Sequence, residues 1–435
     1  MNTSSKHPKG TYRWTICALV FFATTINYID RTVISLLKTE LETEFHWSES
    51  DYSNIVIAFQ LSYAIGMTGM GRLIDHLGTK SGYLWSIFIW SLAAIGHALV
   101  KTTTGFYMAR AALGISEAGN FPAAIKATAE WFPKKERALA TGIFNSGSNI
   151  GAIAAPLTVP YIAEKYGWQM AFVLTGAVGF GWMIAWYFTY DLPANKSKLS
   201  PAELEYIHSG EKDPETGNDE RLSWSGLFRQ KATWAFAIGK FLTDPVWWFY
   251  LFWLPAFLKV QYGLTGSAIA LPVALVFTLA SMGSIYGGWL PMKLMNRHWT
   301  VTRARRGAML IYAVAAFPVL FAQFLGGMNM WYAVLAIGFA AAAHQAWSAN
   351  IFTTVSDHFS KSSVASVIGI GGMTGALGGI VLSNVAGRVF DFYKAAGSIE
   401  KGYYFLFLYC GSAYLISWLI SQILSGRNRN ATLIP

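Results

Sequence analysis

Residues 12–37 read YRWTICALVFFATTINYIDRTVISLL, a long apolar run that carries Asp30 and Arg31 toward its end. About 20 apolar residues are enough for a helix to cross a bilayer. A soluble helix would turn this charged pair to water, whereas a membrane helix holds such groups only where they have a task. The stretch therefore predicts a membrane protein with ionisable groups inside its first span.

The composition of the whole chain agrees with this interpretation. Of the 435 residues, 54% are hydrophobic and only 13% are charged, whereas soluble domains carry roughly 25% charged residues. Lys6, Lys9 and Arg13 run straight into the first span, so no cleavable signal is expected. Cys17 and Cys410 both lie in apolar runs. They predict neither a disulfide framework nor a metal site, and no cofactor is expected.

Hydropathy predicts twelve spans in an all-α membrane protein. A charged segment, 191–231, separates six spans from six and is expected to be a central cytoplasmic loop between two six-helix bundles, residues 1–190 and 232–435. Within it, SPAELEYI predicts a short helix capped by Ser200. The spans lie near 14–37, 52–74, 82–100, 104–125, 138–162, 169–190, 233–257, 266–291, 308–326, 329–351, 364–390 and 402–424.

The distribution of basic residues predicts the orientation. Loops on the side of the N-terminus hold 23 Lys and Arg, the opposite loops hold 7, and Arg31, Arg110 and Lys240 lie in spans. Because cytoplasmic loops are the basic ones, both termini are expected in the cytoplasm. The net charge of +10 then faces anionic lipid and requires no nucleic-acid partner.

Four ionisable residues are expected along one path through the first half, namely Asp30, Arg31, Arg110 and Glu117. Asp30 lies eight residues before Lys38, roughly 12 Å below that end of its span. Arg110 is at about the same depth, roughly 13 Å, and Glu117 lies about 10 Å deeper on the same helix face as Arg110. The alternative is a buried ion-pair network that only joins helices.

This set suits the transport of an anion with a proton. Arginine binds a carboxylate through two parallel hydrogen bonds and stays charged. A buried carboxyl next to that arginine can take up a proton when a substrate anion engages the arginine, so anion and proton favour each other's binding. Asp30 and Glu117 are the candidate proton-coupling acids, and Arg31 and Arg110 the candidate anion-binding residues.

The second half contains its own charged pair. Lys240 and Asp244 are four residues apart in KFLTDPVWWFYLFWLP, which places them on one helix face. Lys240 could hold a carboxylate, or the two could simply neutralise each other. Pro245 and Pro255 are expected to break this helix beside a cavity.

Further polar side chains in the spans could bind the hydroxyl groups of a polar substrate, or could form hydrogen bonds between helices instead. Lys126, just after the fourth span, is expected to extend to the membrane interface. The polar candidates are Tyr28, Tyr63, Asn145, Ser148, Asn149, His344, Gln345 and Trp347.

A repeated loop identifies a family. GRLIDHLGTK, residues 71–80, follows the second span, and GGWLPMKLMNR follows the eighth, at the equivalent place in the second half. With twelve spans split six and six, this suggests a duplicated bundle. The first loop resembles the conserved motif of the major facilitator superfamily. The resemblance implies a conformational role for Gly71, Asp75, Gly78 and Lys80, with Asp75 capping or pairing neighbouring helices.

A narrower resemblance is to the anion:cation symporter family, whose bacterial members carry sugar acids. The resemblance rests on NYIDR, the segment from 110 to 156 and YGWQMAF. Within the chain, KATAEWFPKKERALATG and AHQAWSAN resemble the hexuronate carriers most. It implies proton coupling through Asp30 and Glu117, and anion handling by Arg31 and Arg110. It also implies that positions of galactonate-type binding residues are occupied here by Tyr63, Ser148, His344 and Trp347.

The sequence thus predicts a monomeric, proton-coupled symporter of a hexuronate such as glucuronate or galacturonate, working by alternating access. An aldonate or aldarate carrier of the galactonate or glucarate type, and an organic anion or phosphate exchanger, are the alternatives. A sensor built on a transporter fold fits less well. An enzyme is not expected, because the sequence contains no recognisable nucleotide motif, nucleophile elbow or metal cluster.

Overall fold

The computed structural model describes residues 10–47, 49–209, 222–264 and 266–425, and these are almost entirely helical. The two chain ends, whose cytoplasmic location was predicted, and residues 210–221 of the central loop lie outside the described residues. Each of the twelve predicted spans coincides with one long helix or with two shorter helices in line, so the predicted fold class is confirmed.

Among the residues that the structure describes, the first half contains eight α-helices. The fourth span is two of them, because the helix is interrupted at Ala118 and Gly119. The short α2 packs beside the outer end of α1. The bounds are α1 Tyr12–Leu36, α2 Lys38–Phe45, α3 Glu49–Leu77, α4 Thr79–Gly96, α5 Thr103–Glu117, α6 Asn120–Trp131, α7 Arg137–Tyr166 and α8 Trp168–Thr189.

Two short helices of the central loop precede the second half. The ninth span consists of two helices joined by a 3-10 turn at Phe317–Phe321. The bounds are α9 Pro201–His208, α10 Trp224–Arg229, α11 Lys231–Tyr262, α12 Ala270–Met295, α13 Val301–Ala316, α14 Ala322–Met328, α15 Met330–His358, α16 Val364–Ala395 and α17 Ile399–Ser425.

Seven helical segments in the described part of the chain are long and apolar enough to cross a membrane by length and composition alone. The spans that miss this threshold include α7, α11 and α15, which carry polar residues toward the centre of the molecule. Nearly every residue of α15 from Ala336 to Ser356 is buried. These spans are less apolar because protein, rather than lipid, surrounds them.

The prediction that Pro245 and Pro255 break the seventh span is wrong, because α11 runs continuously past both. A membrane helix tolerates proline where neighbouring helices cover the carbonyl that the ring leaves without a donor. Gly378 of α16 does this here. A Cβ added to Gly378 would lie 2.2 Å from the carbonyl oxygen of Phe241, four residues before Pro245.

The most extensive contacts between the halves pair α3 with α16 and α7 with α12. Glycines allow the backbones to approach: a Cβ on Gly71 would lie 2.3 Å from the carbonyl oxygen of Ala365, and one on Gly288 would lie 2.2 Å from that of Ala138. All of these contacts lie near the ends of helices on the side that also contains Asp75. We call this side the Asp75 face and the opposite side, marked by Lys38, the Lys38 face.

The two contacts are related by the internal repeat. Residues 132–143, FPKKERALATGI, align without gaps to 359–370, FSKSSVASVIGI. Ala138 and Ala365 occupy the same place in the two segments. Gly288 packs against the backbone of Ala138, and Gly71 packs against that of Ala365. The duplication that the loops at 71 and 287 suggest therefore also sets how the halves meet.

The central loop is held against the first half. As predicted, Ser200 caps α9, accepting a hydrogen bond from the Glu203 amide at 3.2 Å. Glu203 in turn accepts hydrogen bonds from the amides of Tyr12 and Arg13 at the start of α1, and its carboxylate lies 3.1 Å from the Arg13 guanidinium. Farther along, Leu222 accepts a hydrogen bond from Arg72.

Candidate functional site

A partly open cavity with a volume of about 90 Å³ lies between the two halves. Its wall includes nine of the residues that the sequence singled out, contributed by α1, α3, α7, α11 and α15. The nine are Tyr28, Arg31, Tyr63, Asn145, Ser148, Lys240, Asp244, His344 and Gln345.

Five other candidates do not line this cavity. Asp30, Arg110, Glu117, Asn149 and Trp347 each have an exposed fraction of 3% or less and lie inside the helical packing. Two of them, Glu117 and Arg110, are nevertheless linked to the cavity indirectly, because they contact Arg31.

Arg31 connects the cavity to that buried group. Its Nε donates to Glu117 Oε2 at 3.1 Å, and its Nη2 donates to Asn27 Oδ1 at 3.3 Å. The rings of Tyr28 and Tyr63 lie 4.8 and 4.7 Å from its Cζ and hold the guanidinium between them. Arg31 is 15% exposed and Glu117 is fully buried. An anion in the cavity can therefore reach the arginine but not the acid behind it.

Arg110 lies directly behind Arg31. Its Nη2 donates to the Arg31 carbonyl at 3.0 Å, so α5 meets α1 at the depth expected from the sequence. Within the described residues, Nε and Nη1 of Arg110, Oε1 of Glu117 and both carboxyl oxygens of Asp30 have no hydrogen-bond partner. An unpaired buried charge is expensive, and protonation removes it from a carboxyl. Protonation would therefore lower the cost of burying the Asp30 carboxyl.

In the second half, Lys240 and Asp244 form an ion pair, with Nζ 2.7 Å from Oδ2. The Lys240 ammonium also lies over the Phe352 ring, 4.1 Å from its centroid. Gly375 of α16 leaves room for the acid, because a Cβ there would lie 2.2 Å from Asp244 Oδ2. Both side chains line the cavity, and the carboxylate is the more exposed member of the pair, since Lys240 is 6% exposed and Asp244 is 21% exposed.

Polar and aromatic groups complete the wall. The His344 ring stacks on Trp247 at 5.2 Å, and its Nδ1 lies 2.7 Å from the hydroxyl of Tyr414. Asn145 of the first half donates to Gln345 of the second half at 2.7 Å. This bond crosses the cavity, so a ligand that separates the two amides also changes a contact between the halves.

The loop motif lies apart from the cavity, on the Asp75 face. Asp75 accepts hydrogen bonds from the Ser366 amide and hydroxyl at 2.7 and 2.6 Å and from the Ala365 amide at 3.3 Å. It thereby caps the N-terminus of α16, where a negative charge is favourable. Lys126 donates to the same carboxylate at 2.8 Å.

The expectation that Lys126 extends to the membrane interface is wrong. Helix α6 continues to Trp131, so Lys126 lies more than one turn inside the helix and is only 4% exposed. It reaches Asp75 instead of water.

The other two motif residues lie at the turn between α3 and α4. Gly78 has a φ of 79°, a conformation that glycine adopts without strain. Lys80 lies 3.2 Å from Asp191 in a largely exposed pair. Slight burial of Asp191 opposes ionisation, but the Leu192 amide and Lys80 together lower the pKa of its carboxyl.

Sequence reasoning missed several residues of the wall. Asn27, which does not line the cavity but accepts a hydrogen bond from Arg31, was also missed; it lies four residues before Arg31 on the same helix face, so its spacing was a usable signal. Trp247, Phe121 and Phe352 lie in apolar runs where nothing distinguishes a cavity residue from a packing residue. Phe121 and Phe352 stack on each other across the halves, with centroids 5.5 Å apart.

Comparison with known proteins gives consistent results. A family model described as Major Facilitator Superfamily matches residues 20–383. The hexuronate transporter of Escherichia coli strain K12 is 32% identical over 381 residues, 87% of this chain and 88% of the relative. The galacturonate transporter of Dickeya chrysanthemi is 38% identical over 290 residues, 66% and 84% of the two chains.

A solved structure shares the fold. The proton:xylose symporter XylE superposes with a TM-score of 0.72 at 16% identity, covering 94% of each chain.

Proposed function

Because the chain belongs to the major facilitator superfamily, we propose that it is a secondary active transporter that carries a sugar acid together with protons. The hexuronate and galacturonate transporters among its relatives favour a hexuronate such as glucuronate or galacturonate. The observation that carries the mechanism is Arg31, which is bonded to buried Glu117 on one side and borders the cavity on the other.

The substrate carboxylate binds Arg31 between Tyr28 and Tyr63. This anion competes with Glu117 for the guanidinium of Arg31. A carboxylate binds arginine best through two parallel hydrogen bonds, and the Nε that would donate one of them now donates to Glu117. Once released, a Glu117 carboxylate would be an uncompensated charge in a buried place, and it takes up a proton.

Proton and substrate binding therefore stabilise each other, which is the requirement for symport. Asp30 is the second candidate for a transported or relayed proton, since it is 1% exposed and has no hydrogen-bond partner within the described residues. Arg110, bonded to the Arg31 carbonyl, holds α5 against α1 behind the anion-binding arginine.

Alternating access is proposed as the movement. The contacts between halves through Gly71 and Gly288 lie on the Asp75 face, so that side of the cavity is closed here. We assign the Asp75 face to the cytoplasm of a bacterial inner membrane, as the basic loops predict. The proposed bundles are residues 1–190 and 232–435, rocking about the cavity as a monomer in lipid.

The test is uptake by purified protein in proteoliposomes with an imposed proton gradient. Labelled galacturonate or glucuronate should accumulate, and a pH dye inside should report acidification that requires the substrate. Glu117→Gln should abolish accumulation but keep exchange of labelled for unlabelled substrate, because the amide removes the titrating group and leaves the cavity intact. Glu164→Gln, an exposed position on α7, is the matched control.

Accumulation that persists in the presence of a proton ionophore would count against coupling. Counterflow with no pH change, together with a preference for phosphate esters, would favour the exchanger instead.

A further inference from the structure

We propose that the Lys240–Asp244 pair makes the cavity selective for sugar acids with a single carboxylate and excludes those that carry one at each end. The inference rests on the proposed function, since it concerns the substrate of the same cavity. It assigns to the second half the task of distinguishing hydroxyl groups from a second carboxylate.

The charges in the wall of the cavity match a monoanion. Within the described residues that line it, the charged side chains are Arg31 of the first half and Lys240 and Asp244 of the second half. The imidazole of His344 is engaged by Tyr414 and stacked on Trp247. Two cations and one anion leave a net charge of +1, which one substrate carboxylate balances and two would exceed.

The placement of these charges sets the orientation of the substrate. Arg31 is the cation of the first half that the cavity reaches, so the carboxylate end docks there. The opposite end then meets the second half. There Lys240 is covered by the Phe352 ring at 4.1 Å and already bonded to Asp244 at 2.7 Å, so the exposed group is the Asp244 carboxylate.

A carboxylate accepts hydrogen bonds and donates none when ionised. Hydroxyl groups of a sugar can therefore bind Asp244 as donors, whereas a second substrate carboxylate would be repelled by it and would find no free cation. Juxtaposed like charges are an effective way to reject a competing ligand. Asp244 is thus a specificity-determining residue and Lys240 a positioning residue, which holds the acid ionised and in place.

Trp247 adds a flat apolar surface beside the pair. It lines the cavity and is fixed by its stack with His344, with 11° between the ring planes. The CH face of a pyranose ring can lie on such a surface while its hydroxyls point to Asp244. The cyclic form of a hexuronate presents this face and a single carboxylate.

The experiment is competition for uptake of labelled galacturonate into proteoliposomes. Unlabelled galacturonate should compete at least about tenfold better than galactarate, the same carbon chain with carboxylates at both ends. Asp244→Asn should reduce that ratio at least about tenfold, because the amide no longer repels the second carboxylate. Galacturonate uptake itself should weaken in this variant, so the ratio of the two competitors is the measurement.

Asp244→Asn leaves Lys240 buried without its counter-charge and could unfold the chain. The double variant Lys240→Met with Asp244→Asn removes both charges and should also lose discrimination, and Glu164→Gln should keep it. Equal competition by galactarate and galacturonate in the unaltered protein would overturn the selectivity proposal and leave sugar-acid transport standing. Unaltered discrimination in both variants would also overturn it. Failure of the unaltered protein to transport any sugar acid would overturn the proposed function instead.

Discussion

Adding one methyl group to Gly71 should push the halves apart on the Asp75 face. The Cβ of Gly71→Ala would lie 2.3 Å from the carbonyl oxygen of Ala365 and 3.0 Å from its carbon. Both are backbone atoms of α16, so no side chain can rotate away. Gly69 lies on the same helix, and a Cβ there would have no atom within 4 Å, which makes Gly69→Ala the matched control.

The expected magnitude follows from the overlap. Carbon and oxygen need about 3.2 Å or more, so α3 and α16 must separate by about 1 Å, and overpacking of this kind costs about 1–3 kcal/mol. The added methyl group raises the free energy only of the conformation in which the halves are in contact at Gly71. The equilibrium should therefore shift toward the conformation open on the Asp75 face by roughly 5- to 150-fold. Both alanines raise helix propensity equally.

Alkylation of a buried reporter cysteine measures this shift. Ser284 of α12 is fully buried and lies in the other contact between the halves, donating to the Gly142 carbonyl at 2.9 Å. Ser284→Cys, in a protein whose buried Cys17 and Cys410 are replaced by alanine, should react slowly with a maleimide. Gly71→Ala should accelerate that reaction by the factor given above and slow transport.

Equal labelling rates in the Gly71→Ala and Gly69→Ala proteins would refute the reasoning. It would mean that the approach of α3 to α16 does not control whether this face opens.

Two further predictions concern other contacts. Asp75→Asn should also accelerate labelling of the reporter cysteine, because an amide caps α16 more weakly and leaves Lys126 without its counter-charge. Asp191→Asn should have little effect, since the pair of Asp191 with Lys80 is largely exposed. Similar labelling rates in the two variants would contradict a role for Asp75 in holding this face closed. Glu203→Ala should lower the melting temperature by several degrees and leave the ratio of substrate affinities unchanged. The variant removes three hydrogen bonds to the start of α1, each of which contributes about 1 kcal/mol or more. An unchanged melting temperature would show that α9 does not stabilise the first half.

The span count, the helix of the central loop and the joint depth of Arg31 and Arg110 could be predicted from the sequence, because apolar length and the rise per residue determine them. Which side chains enter the cavity could not. Successive residues of a helix point about 100° apart, so Asp30 and Arg31 cannot share one direction. The sequence does not state how each helix is rotated about its axis.

The same limit explains the other candidates away from the cavity. Ser148 lines it and Asn149 does not, and Gln345 lines it while Trp347 is packed inside. Lys126 was misplaced for a different reason, namely that α6 extends beyond the end of its apolar run. A polar residue at a helix end tells little about depth when that end is surrounded by protein.

The double engagement of Asp75 has a consequence for the speed of the transport cycle. Its donors from α16 belong to the opposite half, but Lys126 belongs to the same half as Asp75 and stays 2.8 Å away. When the halves separate, the carboxylate loses neutral donors and retains its counter-ion. Separation of the halves at this point therefore leaves neither Asp75 nor Lys126 as an isolated charge, which keeps this contribution to the barrier between the two conformations small.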